Sequence, residues 1–116
     1  MNYPESNTQQ ACVKWFRLQY PELSYLLISV PNGGKRFKQT ARILKSEGTV
    51  AGVADLLLLV PTQHYACLAI EMKSEKGKIQ PSQELWKLEF ERFTTHKYII
   101  CRSFEQFVNE INNYLK

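Results

Sequence analysis

The stretch from Gly52 to Lys73, GVADLLLLVPTQHYACLAIEMK, decides the fold. The apolar run Leu56 to Val60 is too short for a core helix and reads as a strand, Asp55 to Val60. Pro61 to Tyr65 turns the chain back into a second run, Ala66 to Lys73. If these runs form a hairpin with Val60 opposite Ala66, paired residue numbers sum to 126, and Asp55 stands across from Glu71. Cross-strand partners place their Cβ atoms about 4.5 to 5.5 Å apart on one face of the sheet. Two like charges there repel, so a purely structural hairpin avoids them. A divalent cation between them removes the objection, because hard oxygen ligands suit such ions.

Glu71 and Lys73 lie two apart on the second run, on one face and about 6.6 Å along the strand. The alternate face, Leu68, Ile70 and Met72, is core. A carboxylate and an amine therefore occupy the face on which Cys67 and Ala69 predict apolar company, a costly placement unless the two are paired or serve chemistry. The plainer account is a strand-end Glu-Lys pair that reaches water. Against it stand Asp55 opposite Glu71, the basic segment described below, and an inward-facing Gln83. Together they suit phosphodiester hydrolysis. Asp55 and Glu71 would hold Mg²⁺ or Mn²⁺, with the Met72 backbone carbonyl a further ligand. Lys73 would set its charge beside the attacking water or a non-bridging oxygen.

Outward from this hairpin the elements follow in order. A helix runs from Glu5 or Ser6 to Gln19, stopped by Tyr20-Pro21, with Cys12, Trp15 and Phe16 facing inward and Glu5 and Gln9 on the same face. A strand, Tyr25 to Val30, leads into Pro31-Asn32-Gly33-Gly34. A basic segment ends in a short helix, Thr40 to Glu47, stopped at Gly48. After the hairpin comes a polar loop, Ser74 to Gln80. Pro81 then opens a helix to Phe93 with Gln83, Trp86, Phe90 and Phe93 on one face. A strand, Lys97 to Cys101, follows. Ser103 and Gln106 form a capping box for a last helix, whose stripe is Phe104, Phe107, Val108, Ile111 and Leu115. This predicts one α/β domain over residues 1–116, a four-stranded mixed sheet flanked by helices in the order α-β-β-β-α-β plus a C-terminal helix.

The 116 residues are 44% hydrophobic and 12% aromatic, which excludes a disordered chain. The net charge is +4, from 15 basic and 11 acidic residues. Five of the bases (Lys35, Arg36, Lys38, Arg42 and Lys45) fall in one stretch without an acid, and the remainder carries ten against eleven. A localised positive patch suits a polyanion, and Lys35, Arg36, Lys38 and Arg42 are the expected nucleic-acid contacts. Cys12, Cys67 and Cys101 are odd in number and form no C-x-x-C pair, so neither a disulfide framework nor a zinc site is indicated. The start of the sequence lacks a signal-peptide pattern, and no apolar run could span a bilayer, so a cytoplasmic chain without membrane contact is expected. His64 and His96 have no partners at ligand spacing. Trp15 and Trp86 sit on apolar helical stripes and read as core.

These residues resemble a known family. Asp55 followed by Glu71-Met72-Lys73 resembles the PD-(D/E)xK nuclease signature. Glu5 and Gln9, Pro31-Asn32-Gly33-Gly34-Lys35-Arg36, Ala51 to Asp55, Gly77, Gln83 and Trp86 make the chain similar to a standalone VRR-NUC domain. The resemblance implies a restriction-endonuclease-like core and divalent-metal cleavage of branched DNA, such as four-way junctions, by a homodimer. Larger relatives imply flap or repair nucleases. It also implies Glu5 as a metal-shell acid acting through water, and Gln83 as a polar helper to the catalytic Asp55, Glu71 and Lys73. The chain departs from the pattern at Ala54, where the family has proline. A rival expectation is a non-catalytic nucleic-acid-binding module or repair-complex scaffold; it is weakened because Asp55, Glu71 and Lys73 are all present.

Overall fold

The computed structural model describes residues 4–31 and 38–116, with the side chains of Lys38 and Gln39 outside the description. Helix α1 (Pro4–Gln19) leads through a 3₁₀ helix (Pro21–Leu26) into β1 (Leu27–Ser29). Helix α2 (Lys38–Ser46), β2 (Leu56–Leu58), β3 (Cys67–Met72), α3 (Pro81–Glu91), β4 (His96–Cys101) and α4 (Phe104–Tyr114) complete the order. The four strands form one mixed sheet ordered β1-β2-β3-β4. β1–β2 and β2–β3 are antiparallel, and β3–β4 is parallel. This is the α/β architecture the sequence predicts.

The hairpin register is also the predicted one. Leu56 pairs with Ile70, Leu57 with Ala69 and Leu58 with Leu68, which projects Asp55 onto Glu71 one step beyond the ladder. The alternation of β3 sorts its side chains between two cores. On one face Leu68, Ile70 and Met72 join Leu27, Leu56 and Leu58 against Cys12 and Phe16 of α1 and Phe107, Ile111 and Tyr114 of α4. On the other, Ala54, Ala69 and Tyr98 pack under Trp86 and Phe90 of α3. Full burial of each large apolar side chain contributes about 1.5 to 3 kcal/mol, so the α1/α4 face dominates stability. The second core is thin, and it is the one that meets Glu71.

Several boundaries differ from the sequence reading. The expected first strand from Tyr25 is replaced over Tyr25 and Leu26 by 3₁₀ helix, and Tyr25 is 96% exposed. Pro21 supplies a helical φ, Leu23 N–H donates to Tyr20 O, and Ser24 Oγ donates to Pro21 O, so local bonds win over strand pairing there. The short helix starts at Lys38 rather than Thr40; it ends before Gly48, whose φ of +107° is the left-handed stop expected of it. Phe93 lies beyond the end of α3 and is 58% exposed, not on its inward face; it packs on His96 and Arg92. Ser103 caps α4 by its Oγ accepting from Gln106 N–H, but the Gln106 side-chain Oε1 accepts from Arg102 N–H instead of closing the box on Ser103.

Trp15 packs edge-on against Tyr20, Phe104 and Phe107, and Trp86 stacks on Phe90, as core residues do. His96 is held through Nδ1 at Phe90 O, and His64 is exposed. Cys12 and Cys101 are buried and Cys67 half-buried. Burial pushes the Cys12 thiol up to about 11 and that of Cys101 to about 12, so both stay protonated and unreactive. No described helix is long and apolar enough to cross a membrane.

Candidate active site

The site forms where β2 begins and β3 ends. Asp55 precedes β2, and its carbonyl accepts from Val30 N–H at 2.9 Å. Its Oδ2 accepts from Met72 N–H at 2.8 Å, which ties the side chain to the neighbouring strand. Lys73 follows β3, fixed by its N–H on Cys101 O at 3.0 Å. Both residues are thus pinned at the backbone while standing just outside the regular ladder.

Glu71, inside β3, is 1% exposed and is the one buried charged residue among those described. Its Oε2 accepts from Gln83 Nε2 at 3.1 Å and lies 3.7 Å from Lys73 Nζ. Its Oε1 is buried without a hydrogen-bond partner. Burial, then the Asp55 charge, pushes the Glu71 carboxyl up to about 8, against the pull of Lys73. Burial also raises Asp55, opposed by the Met72 N–H, the Glu71 side chain and Lys73. Burial and the neighbouring Asp55 charge together favour a protonated Glu71 at neutral pH. The sheet has therefore brought together the pair that the register predicts.

Gln83 sits one turn into α3. Its Oε1 accepts from Gln80 N–H at 2.8 Å while its Nε2 reaches Glu71, so one side chain caps the helix and orients the carboxylate. Gly52 lets α3 come this close. A Cβ there would fall 2.1 Å from Ser82 O, and its φ is +86°. Glu5, at the start of α1, accepts from Ser74 N–H through Oε2 at 3.1 Å, and its charge is felt at Asp55. Arg102 clamps the loop that carries Ser74: its Nη1 donates to Ser74 O at 2.9 Å and Gly77 O at 2.7 Å. Gly77 is tight against the same corner, since a Cβ there would meet Ser74 Oγ at 3.0 Å and Glu5 Oε2 at 3.5 Å.

Among the described residues, no three His, Cys, Asp or Glu side chains converge as a closed metal cage. The donors nevertheless fit a hard divalent ion. They are carboxylate oxygens, one of them an unpartnered buried atom, in a pair whose mutual repulsion a cation would cancel. Asp55 and Glu71 would hold the ion, with the Met72 carbonyl on the strand between them and Glu5 at a remove.

Of the expected nucleic-acid contacts, Lys35 and Arg36 lie outside the described residues, as does the Lys38 side chain. Arg42 is exposed on α2, with its carbonyl accepting from Ser46 Oγ. The sequence reading missed Arg102 and the clash that fixes Gly52. Neither carries a local signal, because each acts on backbone far away in the chain. Ala54 is fully buried in the α3-side core, so the position is closed to solvent without the proline.

The model of the VRR-NUC domain matches residues 2–105. A solved structure titled "VRR_NUC domain protein" superposes with a TM-score of 0.79 at 19% identity, covering 98% of this chain and 89% of that one. A search of curated proteins found no matching relative.

Proposed function

The chain belongs to the VRR-NUC domain family, with a nuclease-type fold, and from that premise we propose that it is a divalent-metal-dependent DNA endonuclease acting as a homodimer on branched DNA such as four-way junctions. One observation carries the catalytic part. A carboxylate that is 1% exposed, with an unpartnered oxygen, sits beside a second carboxylate and 3.7 Å from a lysine amine. Such an arrangement is unfavourable in a merely structural strand. It is what a site needs in order to bind a cation and neutralise a phosphate.

Asp55 and Glu71 would present oxygens to the ion, whose charge would favour the ionised form of both carboxyls. A bound Mg²⁺ or Mn²⁺ would polarise the scissile phosphate and bring water deprotonation into the neutral range. Gln83 keeps Glu71 from rotating, and Glu5, anchored on Ser74 N–H, adds negative charge that is felt at Asp55. Lys73, whose side chain is only 9% exposed, holds its ammonium over the phosphate oxygens, where charge builds in the transition state. The exposed Leu85 and Leu88 on α3 offer an apolar face for a second copy.

The test is a gel assay on four-way junction, flap, single-strand and duplex substrates, with EDTA, Mg²⁺ or Mn²⁺, alongside the solution mass. Metal-dependent incision of the junction by a dimer is expected. Metal-independent incision, or none on any substrate, would overturn the reading.

A further inference from the structure

The acids occupy one end of a long groove whose other end is basic. This groove, about 950 Å³ in volume, runs between α1 and the β1 side of the sheet, from Glu5 and Asp55 past Gln10 and Val13 to Lys14 and Arg17. Ser6, Gln10, Val13 and Arg17 recur at helical spacing on α1, forming a stripe beside the core stripe of Cys12 and Phe16. At 1.5 Å per residue, Arg17 lies roughly 18 Å along the helix from Glu5. At the duplex rise of about 3.4 Å per nucleotide that length would span roughly five phosphates, and on an unstacked strand fewer.

The cations are available. Among the described residues Lys14 and Arg17 enter no ion pair, whereas Lys87 and Arg92 are each paired to a neighbouring glutamate on their own face. The groove walls are partly apolar, with Val13, Leu18 and Leu27 between the polar groups, and Leu18 is 75% exposed. A flexible single strand can enter a groove of this volume, whereas a rigid duplex would rest on its rim. A wall that alternates cation, amide and aliphatic surface matches the backbone and bases of an unpaired strand.

We propose that the groove along α1 seats a single DNA strand leading away from the scissile phosphate, with Lys14 and Arg17 holding its phosphates. The inference rests on the nuclease reading only for which phosphate is cut; strand binding itself is independent of cleavage. It assigns substrate contact to α1, apart from the basic segment around Arg42, and among branched substrates it favours those that carry an unpaired arm, as a flap does, over a fully paired four-way junction.

The experiment measures anisotropy of a fluorescein-labelled single-stranded oligonucleotide and of a matching blunt duplex, in EDTA, over a salt series. It compares the full chain with Lys14→Gln/Arg17→Gln and with Lys87→Gln/Arg92→Gln, each confirmed folded by circular dichroism. The α1 variant should bind the single strand at least tenfold more weakly, with a salt slope shallower by about 1.4, the value for two released phosphate contacts. The α3 variant should bind it as the unmodified protein does. Should Lys14→Glu/Arg17→Glu be folded and still bind the single strand normally, the proposal is overturned. An equal loss for single strand and duplex overturns the single-strand assignment as well. A protein that binds through α1 but cuts no substrate would overturn the nuclease reading alone.

Discussion

Replacing Glu71 by Gln in the metal-free protein should stabilise it at alkaline pH, and the size of the effect follows from the site. The Glu71 carboxyl is moved from an ordinary 4.5 up to about 8, mainly by burial and secondly by Asp55. Between those values the folded chain keeps a proton that the unfolded chain has lost, so stability falls as pH rises. The penalty is absent below 4.5 and is nearly complete as pH passes 8. By pH 8 it amounts to roughly 4 kcal/mol, at about 1.4 kcal/mol per pH unit. Glu71 is buried, so solvent screening does little to reduce it. In the variant the amide oxygen still accepts from Gln83, and the amide N–H groups can donate to Asp55, so no new buried charge or orphaned donor arises.

The assay is thermal unfolding in EDTA from pH 5 to 8.5. A domain of this length moves its midpoint by roughly 3 to 6 °C per kcal/mol, so the unmodified protein should lose about 12 °C or more over the range while Glu71→Gln stays nearly flat. Adding Mg²⁺ at pH 8 should restore the unmodified protein, because the ion would neutralise the carboxylate pair, and should leave the variant unmoved. A midpoint for the unmodified protein that is flat from pH 5 to 8.5, or a variant that tracks it, would refute the account of a strained carboxylate pair.

Other substitutions probe separate parts of the machinery. Lys73→Ala should lower cleavage by about a hundredfold or more while junction binding in a mobility-shift assay is retained; equal loss of both would assign Lys73 to binding. Asp55→Asn should abolish metal-dependent cleavage and the Mg²⁺-induced rise in melting temperature, while its amide oxygen still accepts from Met72 N–H and keeps the fold; a retained Mg²⁺ response would remove Asp55 from the ion. Gly52→Ala should cost roughly 2 to 4 kcal/mol in urea unfolding, since its Cβ would overlap Ser82 O on backbone that cannot swing aside. A loss below half a kcal/mol would show that α3 can retreat without consequence. Arg102→Ala should weaken Mg²⁺ binding several-fold by calorimetry with little change in melting temperature, because it frees the corner where Ser74 holds Glu5. Unchanged affinity would exclude that corner from the metal shell.

What the sequence revealed and what it concealed divide along physical lines. The β2–β3 register was legible because a period-2 pattern with one buried face admits no one-residue slip without turning Leu56, Leu58, Leu68 and Ile70 outward. Once the register is known, the meeting of Asp55 and Glu71 follows as geometry. Gln83 was legible through its spacing to Trp86 and Phe90 on one face of α3. The first strand was not, because Tyr25 and Leu26 carry strand-like side chains but are governed by Pro21 and by bonds within the turn. Nor could a local pattern show Arg102, whose partners lie some 25 to 28 positions earlier and are backbone carbonyls, the same on any residue. The groove along α1 was hidden for a related reason: a helix pattern reports which face is buried, not what lies opposite its neighbouring stripe.

The placement of Asp55 and Lys73 just past the ends of their strands also explains how so thin an α3-side core tolerates a buried acid. Within a ladder, a carboxylate pair would be sealed between Ala69, Tyr98 and α3 with nowhere for an ion or its water to enter. At the strand ends the backbone is still fixed, by Val30 N–H on Asp55 O and by Lys73 N–H on Cys101 O, yet Asp55 opens onto the α1 groove. Rigid backbone with one accessible side is the condition for a preorganised site, since the ligands need not move when the ion arrives. Tyr98 fits the same picture, with its hydroxyl buried and unpartnered and its proton held on by burial and by the Glu71 and Asp55 charges. It accepts an unsatisfied hydroxyl in exchange for a dry wall behind Glu71. Among the described residues, the buried side-chain atoms left without partners, Glu71 Oε1 and Tyr98 OH, thus both stand at this end of the sheet, and an ion would relieve the first.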